Sequence, residues 1–201
     1  MKLELWLRQV FSNVILKIAS VMVRLGLRPN IISVLGFLTM IFPAYFFSSG
    51  NFILAGFLLL VLSPLDALDG ATARLLKNTT KFGSFIDSVL DRLSEFLIYG
   101  GLLVFYLKND NPIICIAIYL AVLGSMMVSY TRARAESLNC QVKIGVAPRS
   151  VRIMILSILS LLKLSWLGII ILAILTIVTT LQRIFYVRQM LAEDCQVPPT
   201  H

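Results

Sequence analysis

The stretch DALDGATARLLKNTTKFGSFIDSVLDR, residues 66–92, carries four aspartates: Asp66, Asp69, Asp87 and Asp91. It lies among long apolar runs. Residues 29–65, 111–131 and 164–182 contain no charged side chain. A helix crosses the hydrocarbon core with about 20 apolar residues, and the alternation of a transmembrane β-barrel is absent. Composition agrees, at 58% hydrophobic and 14% charged with mean hydropathy +0.89. A soluble domain carries roughly 25% charged residues. The expected fold is an all-α integral membrane protein with six transmembrane helices preceded by an N-terminal amphipathic surface helix.

Residues 1–28 interleave Lys2, Arg8, Lys17 and Arg24 with apolar side chains, and Trp6, Val10, Val14, Ile18 and Val21 recur at helical spacing. This pattern predicts a juxtamembrane amphipathic helix on the bilayer surface, and lacks the core and cleavage site of a signal peptide. Residues 29–190 form the six-helix domain, with spans expected at 31–48, 52–76, 82–107, 113–132, 150–162 and 164–184. Residues 191–201 are a polar tail with no assigned role. Six spans put sixteen of the 18 Lys and Arg residues on one side, leaving only Lys108 and Lys163 opposite. The positive-inside rule makes the first side cytoplasmic, with both termini there. That topology accounts for the net charge of +8 without nucleic acid. Cys115, Cys140 and Cys195 show no metal-ligand spacing, and the single histidine, His201, is the last residue. Catalytic triads and His-ligated metals are excluded.

A carboxylate inside a bilayer is expensive and marks a site. The second and third spans are antiparallel about Asn78-Thr79-Thr80. At about 1.5 Å per residue, the two aspartate pairs lie at similar depths, roughly 12–20 Å from that turn. Asp66 and Asp69 share one helix face, as do Asp87 and Asp91. Their mutual repulsion would be relieved by protonation, as in a proton pathway, or by divalent cations. Oxygen-only donors suit Mg²⁺ or Mn²⁺. Two such ions can stabilise both the attacking and the leaving oxygen of a phosphoryl group. Pairing with Arg74 and Arg92 for structure alone is the bland alternative, and gains little. Gly70, Ala71 and Ala73 leave room for a ligand, Arg74 suits a phosphate, and Pro64 should kink the second span.

The run Asp66-x2-Asp69-Gly70-x2-Ala73-Arg74-x8-Gly83-x3-Asp87-x3-Asp91 resembles the complete signature of the CDP-alcohol phosphatidyltransferases. Asn30 after Pro29, the surface helix and six spans are similar to that family too. The resemblance implies transfer of a phosphatidyl or archaetidyl group from CDP-diacylglycerol or CDP-archaeol to a small alcohol, releasing CMP. It implies that Asp66, Asp69, Asp87 and Asp91 hold two Mg²⁺ or Mn²⁺ ions and that Asp91 is also the general base. Gly70, Ala73, Arg74, Gly83 and Asn30 would hold the CDP-lipid. A homodimer is the family's usual assembly.

Residues 129–153, SYTRARAESLNCQVKIGVAPRSVRI, bear on the acceptor. Arg132, Arg134, Arg149 and Arg152 gather at the cytoplasmic mouth, and guanidinium clusters suit a phosphorylated acceptor. Positive-inside bias alone would also place arginines there. The wording of the loop resembles the phosphatidylinositol-phosphate and archaetidylinositol-phosphate synthase branch, with Gly145 and Arg149-x2-Arg152 in place. Pro148 and Asn139 depart from that branch's pattern. The expected acceptor is inositol phosphate, bound by Arg134, Arg149, Arg152 and Arg132, and glycerol 3-phosphate is the alternative. A neutral acceptor such as serine would leave the arginines without a role. A cation or proton transporter is a distant alternative, because the acids are confined to one side.

Overall fold

The computed structural model describes Ser20, residues 29–65, Leu68, Thr72, residues 80–142 and residues 144–194. The rest of the expected surface helix lies outside the described residues. The described elements are α1 (Pro29–Thr39), α2 (Ile41–Ser48), α3 (Phe52–Leu62), α4 (Lys81–Lys108), α5 (Pro112–Ser137), α6 (Arg149–Leu161) and α7 (Ser165–Asp194). A 3₁₀ turn, Ser63–Leu65, follows α3.

α1 and α2 together make the first span. Pro43 explains the break at Met40, because it has no N–H for the Thr39 carbonyl. The chain compensates locally. Met40 N donates to Phe37 O at 3.0 Å, and the Thr39 hydroxyl donates to Gly36 O at 2.6 Å. Pro64 sits within the 3₁₀ turn where α3 ends.

Six spans were expected, the fifth of them covering only residues 150–162. Among the described residues, three stretches are long and apolar enough to cross a membrane: Asn30–Ser48, Pro112–Ser137 and Ser165–Ala192. α4 has the length, at 28 residues, and carries the charged site side chains. α3 and α6 have 11 and 13 residues; at about 1.5 Å per residue, neither alone reaches across the core. α6 is short because Pro148 caps its start and a turn at Lys163, with φ of 60°, closes its end. α7 runs on to Asp194. The chain is an all-helical, multi-pass membrane protein.

Turn chemistry sets the other ends. Gly50 adopts φ of +80°, and Asn51 caps α3 by accepting from Leu54 N at 3.3 Å. Asn111 caps α5 in the same way, accepting from Ile114 N at 3.3 Å, with Pro112 in the first helical turn. A proline there forfeits no helical bond.

The helices pack α5 on α7, α2 on α4, α3 on α6 and α1 on α4. Without a water-driven force between helices in lipid, close approach through small residues carries the packing. At Gly101 of α4 a Cβ would stand 2.1 Å from Ala44 O. Gly124 of α5 meets Thr176 of α7 in the same way, with Thr176 Oγ1 2.1 Å from where a Cβ would be. Phe47, Leu59, Leu102, Ile118, Ile169 and Leu172 fill the core between these contacts. The Tyr106 hydroxyl meets Ser165 Oγ at 3.0 Å and satisfies a buried polar pair. Large apolar side chains on the outer surface, such as Phe42, Phe57 and Ile113, suit contact with lipid tails.

Candidate functional site

The site is organised along α4. Thr80 caps that helix, its Oγ1 accepting from Gly83 N at 2.9 Å. Gly83, Asp87, Asp91 and Glu95 then recur every four residues, so they line one face. At the first turn of α4, a Cβ on Gly83 would stand 3.1 Å from Asn30 Oδ1 and 3.0 Å from Thr80 Oγ1. Two residues expected at the CDP-lipid, Asn30 and Gly83, are therefore packed together. Asp66, Asp69, Gly70, Ala73 and Arg74 lie outside the described residues.

One turn along, Asp87 is part-exposed. A further turn along, Asp91 Oδ1 lies 2.6 Å from Arg149 Nη1, and its Oδ2 lies 3.8 Å from Arg92 Nη1. Arginine pairing of an aspartate therefore occurs here, with Arg149 as the near partner and Arg92 further off. Arg92 also donates to the Ser88 carbonyl.

Glu95 continues the stripe into the bundle, with its side chain 12% exposed. Arg152 Nη2 donates to Glu95 Oε1 at 2.5 Å, and Arg149 Nε lies 3.8 Å from the same oxygen. The Ser125 hydroxyl of α5 donates to Oε2. Arg152 is 4% exposed, and its Nη1 donates to Ala147 O at 2.8 Å. Its Nε is buried, with no hydrogen-bond partner among the described residues.

In front of these groups lies a cavity of about 140 Å³ lined by Asp91, Ser129 and five arginines: Arg92, Arg132, Arg149, Arg152 and Arg183. A single water needs about 10–15 Å³, so this space admits a small polar molecule. Five guanidinium groups around one aspartate make it a strong anion site.

The structure brings together three of the four arginines expected at the acceptor. Arg132, Arg149 and Arg152 line the cavity; Arg134 does not. Arg134 is exposed and donates to Ser137 Oγ at 3.4 Å. Residues two apart on a helix project to roughly opposite sides, so α5 turns only Arg132 towards the cavity. Arg132 also pairs with Glu136, Nε to Oε1 at 2.8 Å.

Two contributors were missed. Glu95 follows Asp91 at the stripe's own spacing, and extending the spacing by one turn would have found it. Arg183 was read as a charge at a span end. It is buried on α7, where its Nε donates to Ile144 O at 3.1 Å and its Nη1 donates to Val128 O. Nearby, Thr179 Oγ1 accepts from Ala147 N at 3.1 Å, and Gly145 adopts φ of +134° against Thr179 and Arg183. These bonds fasten the segment before α6 onto α7 and so fix where Arg149 and Arg152 start.

The donor set fits a divalent cation. Asp87 and Asp91 offer carboxylate oxygens one turn apart, the ligand type that hard cations take. Among the described residues no group of three or more Asp, Glu, His or Cys converges. The remaining expected donors, Asp66 and Asp69, lie outside them.

Residues 27–192 match the family model described as CDP-alcohol phosphatidyltransferase. The chain is 39% identical over 176 residues to the archaetidylinositol phosphate synthase of Pyrococcus horikoshii, covering 87% of this chain and 91% of that one. It is also similar to the crystal structure of Mycobacterium tuberculosis phosphatidylinositol phosphate synthase with CDP-DAG bound. That match has a TM-score of 0.79 and 26% identity, covering 87% of this chain and 94% of that one. The crystal structure of the same protein in complex with manganese and citrate matches with a TM-score of 0.80 and 27% identity, covering 86% and 88%.

Proposed function

The chain belongs to the CDP-alcohol phosphatidyltransferase family, and we propose that it transfers the phosphatidyl or archaetidyl group of a CDP-lipid to a hydroxyl of inositol phosphate. CMP is the leaving product. The observation that carries this reading is the cavity in which five arginines surround Asp91. A neutral alcohol would leave that charge unanswered. The names of the relatives point the same way, since they describe synthases of inositol phosphate lipids.

The division of labour follows the stripe on α4. Asn30 and Gly83 meet at the first turn of the helix and bind the CDP-lipid together with Gly70, Ala73 and Arg74. Asp66, Asp69, Asp87 and Asp91 hold one or two divalent cations, Mg²⁺ or Mn²⁺. When bound, such ions neutralise the diphosphate and the departing CMP. Arg132, Arg149 and Arg152 hold the phosphate of the acceptor beside Asp91. Asp91 takes the proton of the acceptor hydroxyl as that oxygen attacks the lipid-bearing phosphorus. The new P–O bond forms, the P–O bond to CMP breaks, and CMP leaves with the electron pair. The site faces the cytoplasm, where CDP-lipid arrives laterally and the acceptor arrives from water.

The test is CMP release from purified protein in detergent with Mg²⁺ or Mn²⁺ and a CDP-lipid. Inositol phosphate, glycerol 3-phosphate, inositol and serine are offered separately. Release with inositol phosphate, abolished by Asp91→Asn, is the expected result. Release with glycerol 3-phosphate alone would overturn the acceptor and keep the chemistry. Release with inositol or serine would overturn the role of the arginine cavity.

A further inference from the structure

Arg149 and Arg152 start α6 three residues apart, and both reach across the bundle to the same carboxylate on α4, Glu95. That carboxylate lies outside the lining of the arginine cavity and behind it. Its side chain is 12% exposed, and it is engaged from two helices: Ser125 of α5 on Oε2, and the arginines of α6 on Oε1. The geometry has a directional consequence. A guanidinium is planar with donors on fixed edges. Arg152 uses Nη2 on Glu95 and Nη1 on Ala147 O, which fixes its plane at both terminal nitrogens. Its Nε is buried, with no hydrogen-bond partner among the described residues, in a residue that lines the cavity. A buried donor left unmade is costly and is uncommon in native structures.

We propose that Glu95 is the positioning residue of the acceptor-phosphate site. It neutralises the buried charge of Arg152 and holds that guanidinium in place at the wall of the arginine cavity. Through Nε of Arg149 it also sets the distance between that arginine and Asp91. This rests on the reading of the arginine cavity as the acceptor site. Glu95 itself touches no substrate. Its effect therefore falls on the acceptor and spares the CDP-lipid, which binds towards the first turn of α4.

The test uses the full chain in detergent, with Glu95→Gln, Glu95→Asp and Ser125→Ala. Glu95→Gln keeps the size and the acceptor oxygen but removes the charge. Its KM for inositol phosphate is expected to rise about tenfold or more, the scale of a hydrogen bond between charged groups. Its KM for CDP-lipid is expected to stay within about twofold of wild type, since uniform binding of that substrate is untouched. Glu95→Asp retains the charge and is expected to recover part of the loss. Equilibrium binding of inositol phosphate without CDP-lipid should weaken in parallel. A purely structural role would move both KM values together, and that result overturns the proposal, as does an unchanged acceptor KM. Should Glu95→Gln fail to fold, Ser125→Ala decides. It withdraws one bond to Glu95 and leaves every charge in place, and a rise confined to the acceptor KM is expected. If wild type uses glycerol 3-phosphate instead, the inositol reading falls. The same split is then measured on that acceptor, so the two failures remain separate.

Discussion

Replacing Arg152 with Met removes the most buried charge of the site and leaves a partner behind. Arg152 is 4% exposed and the side chain of Glu95 is 12% exposed, so solvent screens their contact little. The substitution deletes the 2.5 Å bond to Glu95 and the 2.8 Å bond to Ala147 O. A hydrogen bond between charged groups contributes about 1.5–3 kcal/mol and an ordinary one about 1 kcal/mol. Their sum, roughly 2.5–4 kcal/mol, overlaps the roughly 3–5 kcal/mol lost when one partner of a buried pair is removed. Glu95→Gln alone should cost about 1–3 kcal/mol, because its amide oxygen still accepts. The double variant Glu95→Gln/Arg152→Met buries neither charge. It should lose about 2–3 kcal/mol less than the sum of the single losses, a coupling typical of residues in one network. Unfolding of the three variants and wild type in a denaturing-detergent titration, followed by tryptophan fluorescence, measures the cycle. Additive losses would refute the reasoning, because they would mean that the two side chains do not share a buried electrostatic partnership.

Asp91→Asn is expected to lower kcat by about 10²–10⁴-fold, the range for a positioned general base, with the melting transition retained; CMP release checks it. Chelation of divalent cations should abolish turnover, and Mn²⁺ or Mg²⁺ should restore it while Ca²⁺, which takes more ligands at longer distances, restores less; a titration of CMP release against each ion decides. Gly101→Ala would force a Cβ to 2.1 Å from Ala44 O, a backbone atom that no rotamer change can move aside. It should destabilise the chain by about 1–3 kcal/mol through overpacking, read in the same fluorescence titration.

Much of this architecture was legible because the bilayer imposes simple rules. Apolar length announces a membrane helix, and residues 29–65, 111–131 and 164–182 obey that rule plainly. The stripe of Gly83, Asp87 and Asp91 was legible because a four-residue interval repeats on one helix face. What stayed hidden depends on rotation and tertiary reach. Spacing alone cannot say which face of α5 looks inward, so Arg134 was expected at the acceptor along with Arg132, and of the two only Arg132 lines the cavity. Arg183 fitted the positive-inside pattern equally well as a span-end charge. Its bonds to Ile144 and Val128 cross 39 and 55 residues of sequence. The short α6 was legible too, since residues 150–162 were expected as the fifth span, and the turn at Lys163 closes the helix there.

On the proposed reading, α4 divides the reaction along its length. From Gly83 to Glu95 is twelve residues, about 18 Å of rigid helix. The first turn meets Asn30 of α1, and the last meets Arg152 of α6 and Ser125 of α5. Asp87 and Asp91 fall between. The acceptor end can therefore be altered without disturbing the CDP-lipid end, although Asp91 stays tied to the acceptor end through its 2.6 Å pair with Arg149. The alteration is constrained, however, because Glu95 and Arg152 are buried opposite charges. Losing one alone strands the other, whereas replacing both with apolar side chains is close to neutral. Relatives that take an uncharged alcohol should therefore lack both members of the pair together. A relative that binds such an acceptor and retains a single buried charge at either position would contradict this division of the helix.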